Sequence, residues 1–412
     1  MESKSSQDTP SSAAPLVEPP APPGVQAGPR SLRELVDMVS GRGFRRQVQA
    51  EDAGILDLFP FPFLALVGQQ ELKLALILAL INPGIGGVLL IGPRGTGKTT
   101  AVRSLIELLP EVPRSLCYYG CMPEDIETGG IEAVCPDCAQ KYGRGEPLSR
   151  MGGVNLIELP LNSRLEDVVV GFDERAMPAE RLRIRRGLLA QADRNLLYID
   201  EINLLNDEII DAILDASSQG HYTVRRGPVS ASYRARFTLI GSMNPEEGNL
   251  RPQIMDRFGL RVALHGLPDG EQRLEAYHRV QAFQTNPRLM VAEYASETLA
   301  LREEIQQARR TLLEVVLPEE IAHLGLEVIR RLQIDSLRAE ITLFEAVRAH
   351  AAADGRRQVA LADLVEIAPM VLRGRSSTFM IEFLAAQNAE KARIVDLVKQ
   401  IVDPDYSSET HR

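Results

Sequence analysis

Between about residue 63 and residue 268 the chain alternates helical spacing with short, nearly unbroken apolar runs at 88–91, 154–159, 196–199 and 237–240. A strand with one wet side alternates apolar and polar residues, whereas a run that is apolar at every position suits a strand covered on both faces. The pattern predicts an α/β fold, a parallel sheet flanked by helices. Beyond residue 269 the strand signal fades and helical spacing takes over at 292–316, 318–332, 339–353 and 362–372. Pro318, followed by Glu319 and Glu320, is a helix start, since proline loses nothing at the first position and carboxylates meet the positive end of the dipole. The expected organisation is an α/β domain over 31–268 and an all-helical C-terminal domain over 269–404, without internal repeats.

The first thirty residues break this pattern. They are dominated by Ser, Pro and Ala, as in Glu18-Pro19-Pro20-Ala21-Pro22-Pro23, and predict a disordered tail over 1–30, with structure beginning near Leu32. In the 412-residue chain, 44% apolar residues suffice for substantial cores. The net charge of −10 argues against a nucleic-acid coat, which needs clustered Lys and Arg. The apolar run at 74–81 is bounded by Lys73 and Asn82-Pro83, short of the roughly 20 residues of a membrane span. With no apolar signal core, and only Lys4 and Arg30 as basic groups in the first thirty residues, the chain reads as cytoplasmic.

Candidate chemistry sits at the ends of the apolar runs. Val88-Leu89-Leu90-Ile91 leads into Gly92-Pro93-Arg94-Gly95-Thr96-Gly97-Lys98-Thr99, and Thr100 continues as a helix. This is a complete P-loop, the signature of an ATP site. Its glycines let backbone N–H groups turn toward phosphates, Lys98 reaches the β- and γ-phosphates, and the Thr99 hydroxyl suits Mg²⁺. The run Leu196-Leu197-Tyr198-Ile199 ends in Asp200-Glu201. Alone, such a run is often just a strand meeting solvent; beside a P-loop, Asp200 would support the Mg²⁺ shell and Glu201 would deprotonate the attacking water. A third run ends at Asn244, placed to hold that water or the γ-phosphate, or merely to start the turn at Pro245.

These elements together resemble AAA+ ATPases, and longer strings narrow the resemblance. Val67-Gly68-Gln69, Ile85-Gly86-Gly87-Val88-Leu89, Leu197-Tyr198-Ile199-Asp200-Glu201-Ile202-Asn203-Leu204-Leu205 and Asn244-Pro245-Glu246-Glu247-Gly248-Asn249-Leu250-Arg251-Pro252-Gln253 resemble the magnesium chelatase ATPase subunits over about residues 62–375. The last string is the most specific. That resemblance implies that Arg251 is an arginine finger reaching a neighbouring subunit's ATP, that Arg257 sits close by, and that Arg338 is a second sensor delivered from the helical domain. Out of that context each arginine reads as a solvated or ion-paired surface residue. A finger given by a neighbour implies a homo-oligomeric ring, expected to be a hexamer. The resemblance also implies two partners: a second AAA+ subunit with an integrin-like domain, and a large porphyrin-binding subunit that inserts the metal. Residues 222–230 look like a hairpin of the kind the family uses to touch partners, or equally a solvated β-loop. The competing function is a related AAA+ remodelling chaperone acting with an integrin-like partner on protein targets. A nucleotide-binding scaffold without turnover fits less well with Glu201 and Arg251 in place.

All four cysteines, Cys117, Cys121, Cys135 and Cys138, fall in one loop-like stretch that departs from the familiar family pattern. Two pairs, spaced by three and two residues with thirteen between, suit a tetrahedral structural Zn²⁺. Free thiols and a redox switch are the other readings. His221, His265, His278, His323 and His350 are scattered and offer no competing metal set.

Overall fold

The computed structural model describes residues 59–376 except 118, 173–183 and 227–228, together with 393 and 395. The predicted tail over 1–30, the start near Leu32 and, save for 393 and 395, the part of the predicted helical domain from 377 to 404 lie outside these residues. Five parallel strands form the central sheet: β1 (Val88–Ile91), β2 (Leu156–Leu159), β3 (Leu196–Ile199), β4 (Thr238–Met243) and β5 (Leu260–Ala263), in the order β5-β1-β4-β3-β2.

The unbroken apolar runs have a direct structural cause. Val88, Leu90, Leu196, Tyr198, Ile240, Leu260 and Val262 enter one buried cluster, while Leu89, Leu197, Ile199, Leu239 and Met243 enter a second. Successive side chains point to opposite faces, so a strand covered on both sides must be apolar at every position. Two of the predicted runs shift at their edges: β2 starts at Leu156 rather than 154, and β4 runs from Thr238 to Met243. The fifth strand was not predicted, because Arg261 interrupts its apolar run. That residue is only 1% exposed, and its guanidinium donates to the carbonyls of Arg373 at 2.8 Å and Met255 at 2.7 Å.

The helices bearing on the site are α1 (Gln70–Ile81), α2 (Lys98–Ser104), α3 (Asp207–Gln219) and α4 (Pro252–Arg257). The C-terminal part is helical as expected, with α5 (Gly270–Thr285), α6 (Pro287–Leu312), α7 (Glu319–Arg331), α8 (Leu337–Ala353) and α9 (Leu361–Leu372). Helix α6 starts and stops earlier than the predicted 292–316. Pro318 is the extended N-cap of α7, so Glu319 and Glu320 make up the first turn. Helix α5 was missed, having no buried residue and hence no apolar stripe to read.

One apolar cluster runs from α1 and a face of the sheet into α8 and α9, through Leu72, Leu76, Leu343, Val347 and Ile367. Polar ties cross the same junction. Asn82 Nδ2 donates to the Glu345 side chain at 2.7 Å, and Arg309 Nε to the Leu80 carbonyl at 2.7 Å. At the start of α9, fully buried Asp363 accepts from Arg356 Nη1 at 2.8 Å and the Ala360 N–H at 2.7 Å, and lies 2.6 Å from His350 Nδ1. Burial alone would raise its pKa, but Arg356 and the Ala360 N–H outweigh it and hold the carboxyl at about 2.

A folded pKa below the unfolded value contributes stability above about pH 4 that is lost as pH falls toward 2, here on the order of 2 kcal/mol. Asp363→Asn is therefore expected to lower the unfolding free energy by about that amount at pH 7. The gap between variant and parent in denaturant titrations should narrow as pH drops from 5 toward 2; a gap independent of pH would contradict this role.

Candidate functional site

The P-loop leaves β1 and wraps the N-terminal end of α2. Gly95 and Gly97 have φ of 79° and 83°, a left-handed backbone that side chains rarely adopt and that turns successive N–H groups toward a bound anion. Arg94, Gly95, Thr96, Gly97, Lys98, Thr99 and Thr100 line a cavity of about 230 Å³ together with Asp200, Glu201 and Asn244. The structure thus brings together the P-loop and the ends of three predicted strands. Gly92 packs so tightly against the residue after β5 that a Cβ there would lie 2.6 Å from the Leu264 carbonyl oxygen.

The Lys98 ammonium donates to the Gly92 and Pro93 carbonyls at 2.6 and 2.9 Å, holding the loop closed. Burial lowers its pKa, while Asp200, Glu201 and Glu247 act in the opposite direction. Thr99 Oγ1 lies 3.4 Å from Asp200 Oδ2, a converging hydroxyl and carboxylate of the kind Mg²⁺ accepts alongside phosphate oxygens and water. Two residues not singled out by sequence fix that carboxylate. Buried Tyr198 donates to Asp200 Oδ1 at 2.9 Å, and Ser242 Oγ donates to the same oxygen while accepting the Glu201 N–H at 3.2 Å. No short-range pattern marks Ser242; only the β3–β4 pairing puts it there.

Glu201 sits in the left-handed region at φ 49°, a strained conformation for a side-chain-bearing residue. Its carboxylate pairs with Arg94 at 3.2 Å, and Arg94 also pairs with Glu247 at 2.5 Å. Asn244 stands both at the cavity and at the start of a turn. It lines the cavity, and it organises the following turn by accepting the Glu246 N–H at 3.3 Å and donating to Glu247 Oε1 at 3.3 Å. Glu247 Oε2 is buried with no hydrogen-bond partner among the described residues.

A second cavity, of about 400 Å³, opens on the other side of the loop and shares Gly95, Thr96, Gly97 and Thr100. Its apolar walls are Leu66, Val67, Leu72, Leu267, Ala276 and Val280. An apolar slot joined to a phosphate cradle suits a nucleobase. Sequence reasoning missed it because its walls come from segments two hundred residues apart. The string Val67-Gly68-Gln69 was the one available signal: Gly68 has φ 61°, and a Cβ there would lie 2.6 Å from Leu267.

The three candidate arginines lie elsewhere. Arg251 precedes α4 and pairs with Asp207 at 2.9 Å. Arg257 pairs with Asp215, and with Arg338 it lines a cleft of about 880 Å³. That cleft is walled by Ile85, Gly86, Asn195, Leu196, Phe237 and Thr238, all at the amino ends of the parallel strands. The P-loop, Asp200, Glu201 and Asn244 follow the carboxyl ends, roughly 13 to 20 Å away along strands of four to six residues. Within one chain, Arg257 and Arg338 are not part of the phosphate cavity.

The four cysteines converge at a place outside the nucleotide pocket. Their sulfurs all fall within 4.8 Å of one another, with Cys117 Sγ 3.8 Å from Cys121 Sγ and 3.5 Å from Cys135 Sγ. Four thiolates around Zn²⁺ with bonds of about 2.3 Å stand about 3.8 Å apart. Backbone N–H groups of Tyr119, Cys135 and Cys138 point at sulfurs of the set at 3.2, 3.3 and 3.4 Å, the orientation that stabilises thiolate charge. A second grouping, His350, Asp354 and Asp363, contains the Arg356 guanidinium and serves as the ion-paired helix start described above.

A family model described as an AAA domain matches residues 84–242, and one described as an AAA lid domain matches 326–398. The magnesium-chelatase 38 kDa subunit of Acidiphilium rubrum is 40% identical over 335 residues, 81% of this chain and 96% of that protein. A magnesium-chelatase subunit ChlI homolog of Methanocaldococcus jannaschii is 40% identical over 317 residues, 76% of this chain and 85% of that protein. Among solved structures, the complex between subunits BchI and BchD of magnesium chelatase gives 37% identity, 77% coverage of this chain and 96% of that chain, at a TM-score of 0.44.

Ser242→Ala removes one of the donors that fix Asp200. It is expected to raise the Mg²⁺ concentration for half-maximal ATP hydrolysis about tenfold, with nucleotide affinity little changed. An unaltered Mg²⁺ dependence would contradict this placing of Asp200.

Proposed function

The chain belongs to the family of magnesium-chelatase ATPase subunits, and on that premise we propose that it is the ATP-hydrolysing motor of a magnesium chelatase. In this reading it couples ATP hydrolysis to insertion of Mg²⁺ into protoporphyrin IX, in the synthesis of chlorophyll or bacteriochlorophyll in the cytoplasm. The observation that carries the mechanism is the division of polar chemistry between the two ends of one parallel sheet.

At the carboxyl ends, the P-loop N–H groups and Lys98 bind the β- and γ-phosphates, and the apolar slot beside Val67 and Leu267 takes the adenine. Thr99 and Asp200 hold the Mg²⁺ of the nucleotide, which neutralises phosphate charge. Glu201, released from Arg94 as phosphate draws that guanidinium away, takes the proton of the attacking water. Asn244 orients that water. At the other end, Arg257 and Arg338 face away from the chain's own phosphate cavity, and Arg251 stands outside it, so each serves a neighbouring copy. Arg251 is the finger that stabilises charge developing on the γ-phosphate.

This arrangement favours a closed ring, most simply a hexamer, since head-to-tail contacts must close to remain finite. The partners in this reading are a second AAA+ subunit with an integrin-like domain and a large porphyrin-binding subunit. Among the described residues no helix is long and apolar enough to cross a membrane. The four cysteines are read as a structural Zn²⁺ site.

ATP-dependent insertion of Mg²⁺ into deuteroporphyrin, assembled from the two partner subunits with and without this chain, tests the function. Insertion should require the chain, and insertion undiminished without it would overturn the reading. Glu201→Gln should lower phosphate release by about 10²- to 10⁴-fold while ATP binding persists; turnover at the parent rate would remove Glu201 as the base.

A further inference from the structure

Between Cys121 and Cys135 lies a short helix, Pro123–Gly129, with no buried residue. Seven residues are too few to be helical on their own. The apolar cluster beneath buries Cys121, Val134, Cys135, Cys138 and Leu148, with Ile126 of the helix and Cys117, Tyr119 and Ala139 half-buried at its margin, a core too small to hold the segment by burial alone. Two stronger restraints add to the Ile126 contact: the cysteines on either side of the helix, and Glu124 in its first turn.

Glu124 is the meeting point of three arginines. Arg194 and Arg234 donate to its carboxylate, and Arg236 stands 3.8 Å away. Arg234 also donates to the Glu124 carbonyl at 3.1 Å and to Thr128 Oγ1 at 3.0 Å. Each arginine occupies a mechanically significant position. Arg234 ends the second strand of the antiparallel hairpin His221–Arg226 and Val229–Arg234. Arg194, held at φ 63°, donates its N–H to the Arg236 carbonyl at 2.6 Å. Arg194 and Arg236 lie two residues ahead of β3 and β4, whose far ends carry Asp200, Glu201 and Asn244.

We propose that the knuckle, closed by Zn²⁺ on Cys117, Cys121, Cys135 and Cys138, is an abutment that holds the hairpin in a fixed orientation, with Glu124 as the positioning residue that joins them. The proposal rests on the zinc reading given above and extends it: the metal stiffens the Glu124 helix, and Glu124 transmits that stiffness to the hairpin and to the entry of the two nucleotide-contacting strands. Metal binding to a small loop supplies the folding energy its own core lacks. A carboxylate surrounded by guanidiniums supplies direction.

The test uses the full-length chain and three measurements: zinc content by elemental mass spectrometry, the absorption of Co²⁺ in place of zinc, and hydrogen exchange. Parent protein should carry one zinc per chain and, with Co²⁺, show the thiolate charge-transfer bands of a tetrathiolate site. Glu124→Gln should keep the zinc but raise exchange across 221–234 roughly tenfold, leaving ATP protection of 92–100 unchanged. A Cys135→Ser/Cys138→Ser double variant, or parent stripped by a strong chelator, should lose the zinc and loosen the same hairpin. Parent-like hairpin exchange in zinc-loaded Glu124→Gln would overturn the abutment while leaving the metal site standing. A chain that carries no zinc and takes up no Co²⁺ would overturn the metal site, and with it the proposal.

Discussion

In a parallel sheet every strand offers its carboxyl end to one edge and its amino end to the other, and the two edges cannot be brought to the same ligand by the same chain. Here the carboxyl edge carries backbone donors, an ammonium and two carboxylates, enough to seat a nucleotide and its Mg²⁺. Arg257 and Arg338 stand at the amino edge, beyond strands that are rigid and buried on both faces. A triphosphate bound at one edge therefore meets those guanidiniums only if a second copy presents its opposite edge. Ring formation, in this account, follows from strand direction rather than being added to it.

The helical part contributes by fixing where that edge lies. Asp256, next to Arg257, accepts from buried Arg375 and from the Ser336 hydroxyl at 3.3 Å, and Ser336 immediately precedes the helix that bears Arg338. The segment carrying Arg251 and Arg257 and the helix carrying Arg338 are thus tied through one carboxylate. The apolar cluster shared by α1, α8 and α9 makes this junction a packed core, so a change in one arginine's position is shared by the others.

What the sequence made legible was local. The phosphate loop, the Asp200-Glu201 pair and Asn244 each follow a short apolar run, and a run plus its terminal residues fits within a dozen positions. The cysteine set was legible for the same reason, as spacing. Strand β5 was hidden by Arg261, whose burial depends on carbonyls more than a hundred residues away as well as nearby. The apolar slot, the support of Asp200 by Ser242 and the position of Arg338 were hidden too, since each arises from strand pairing or helix docking that no local pattern records. Helix α5 lacks a buried face altogether, which removes the only periodic signal a surface helix has.

The division of the nucleotide site between two copies is tested most directly by mixing two inactive proteins. Lys98→Ala removes the phosphate-binding lysine and Arg251→Ala the guanidinium read as the donated finger, each in an otherwise intact chain. Co-assembled before assay, the two should recover ATP hydrolysis well above either alone, because some interfaces then combine an intact loop with an intact arginine. A mixture no more active than its components, or an Arg251→Ala protein as fast as the parent, would contradict the account.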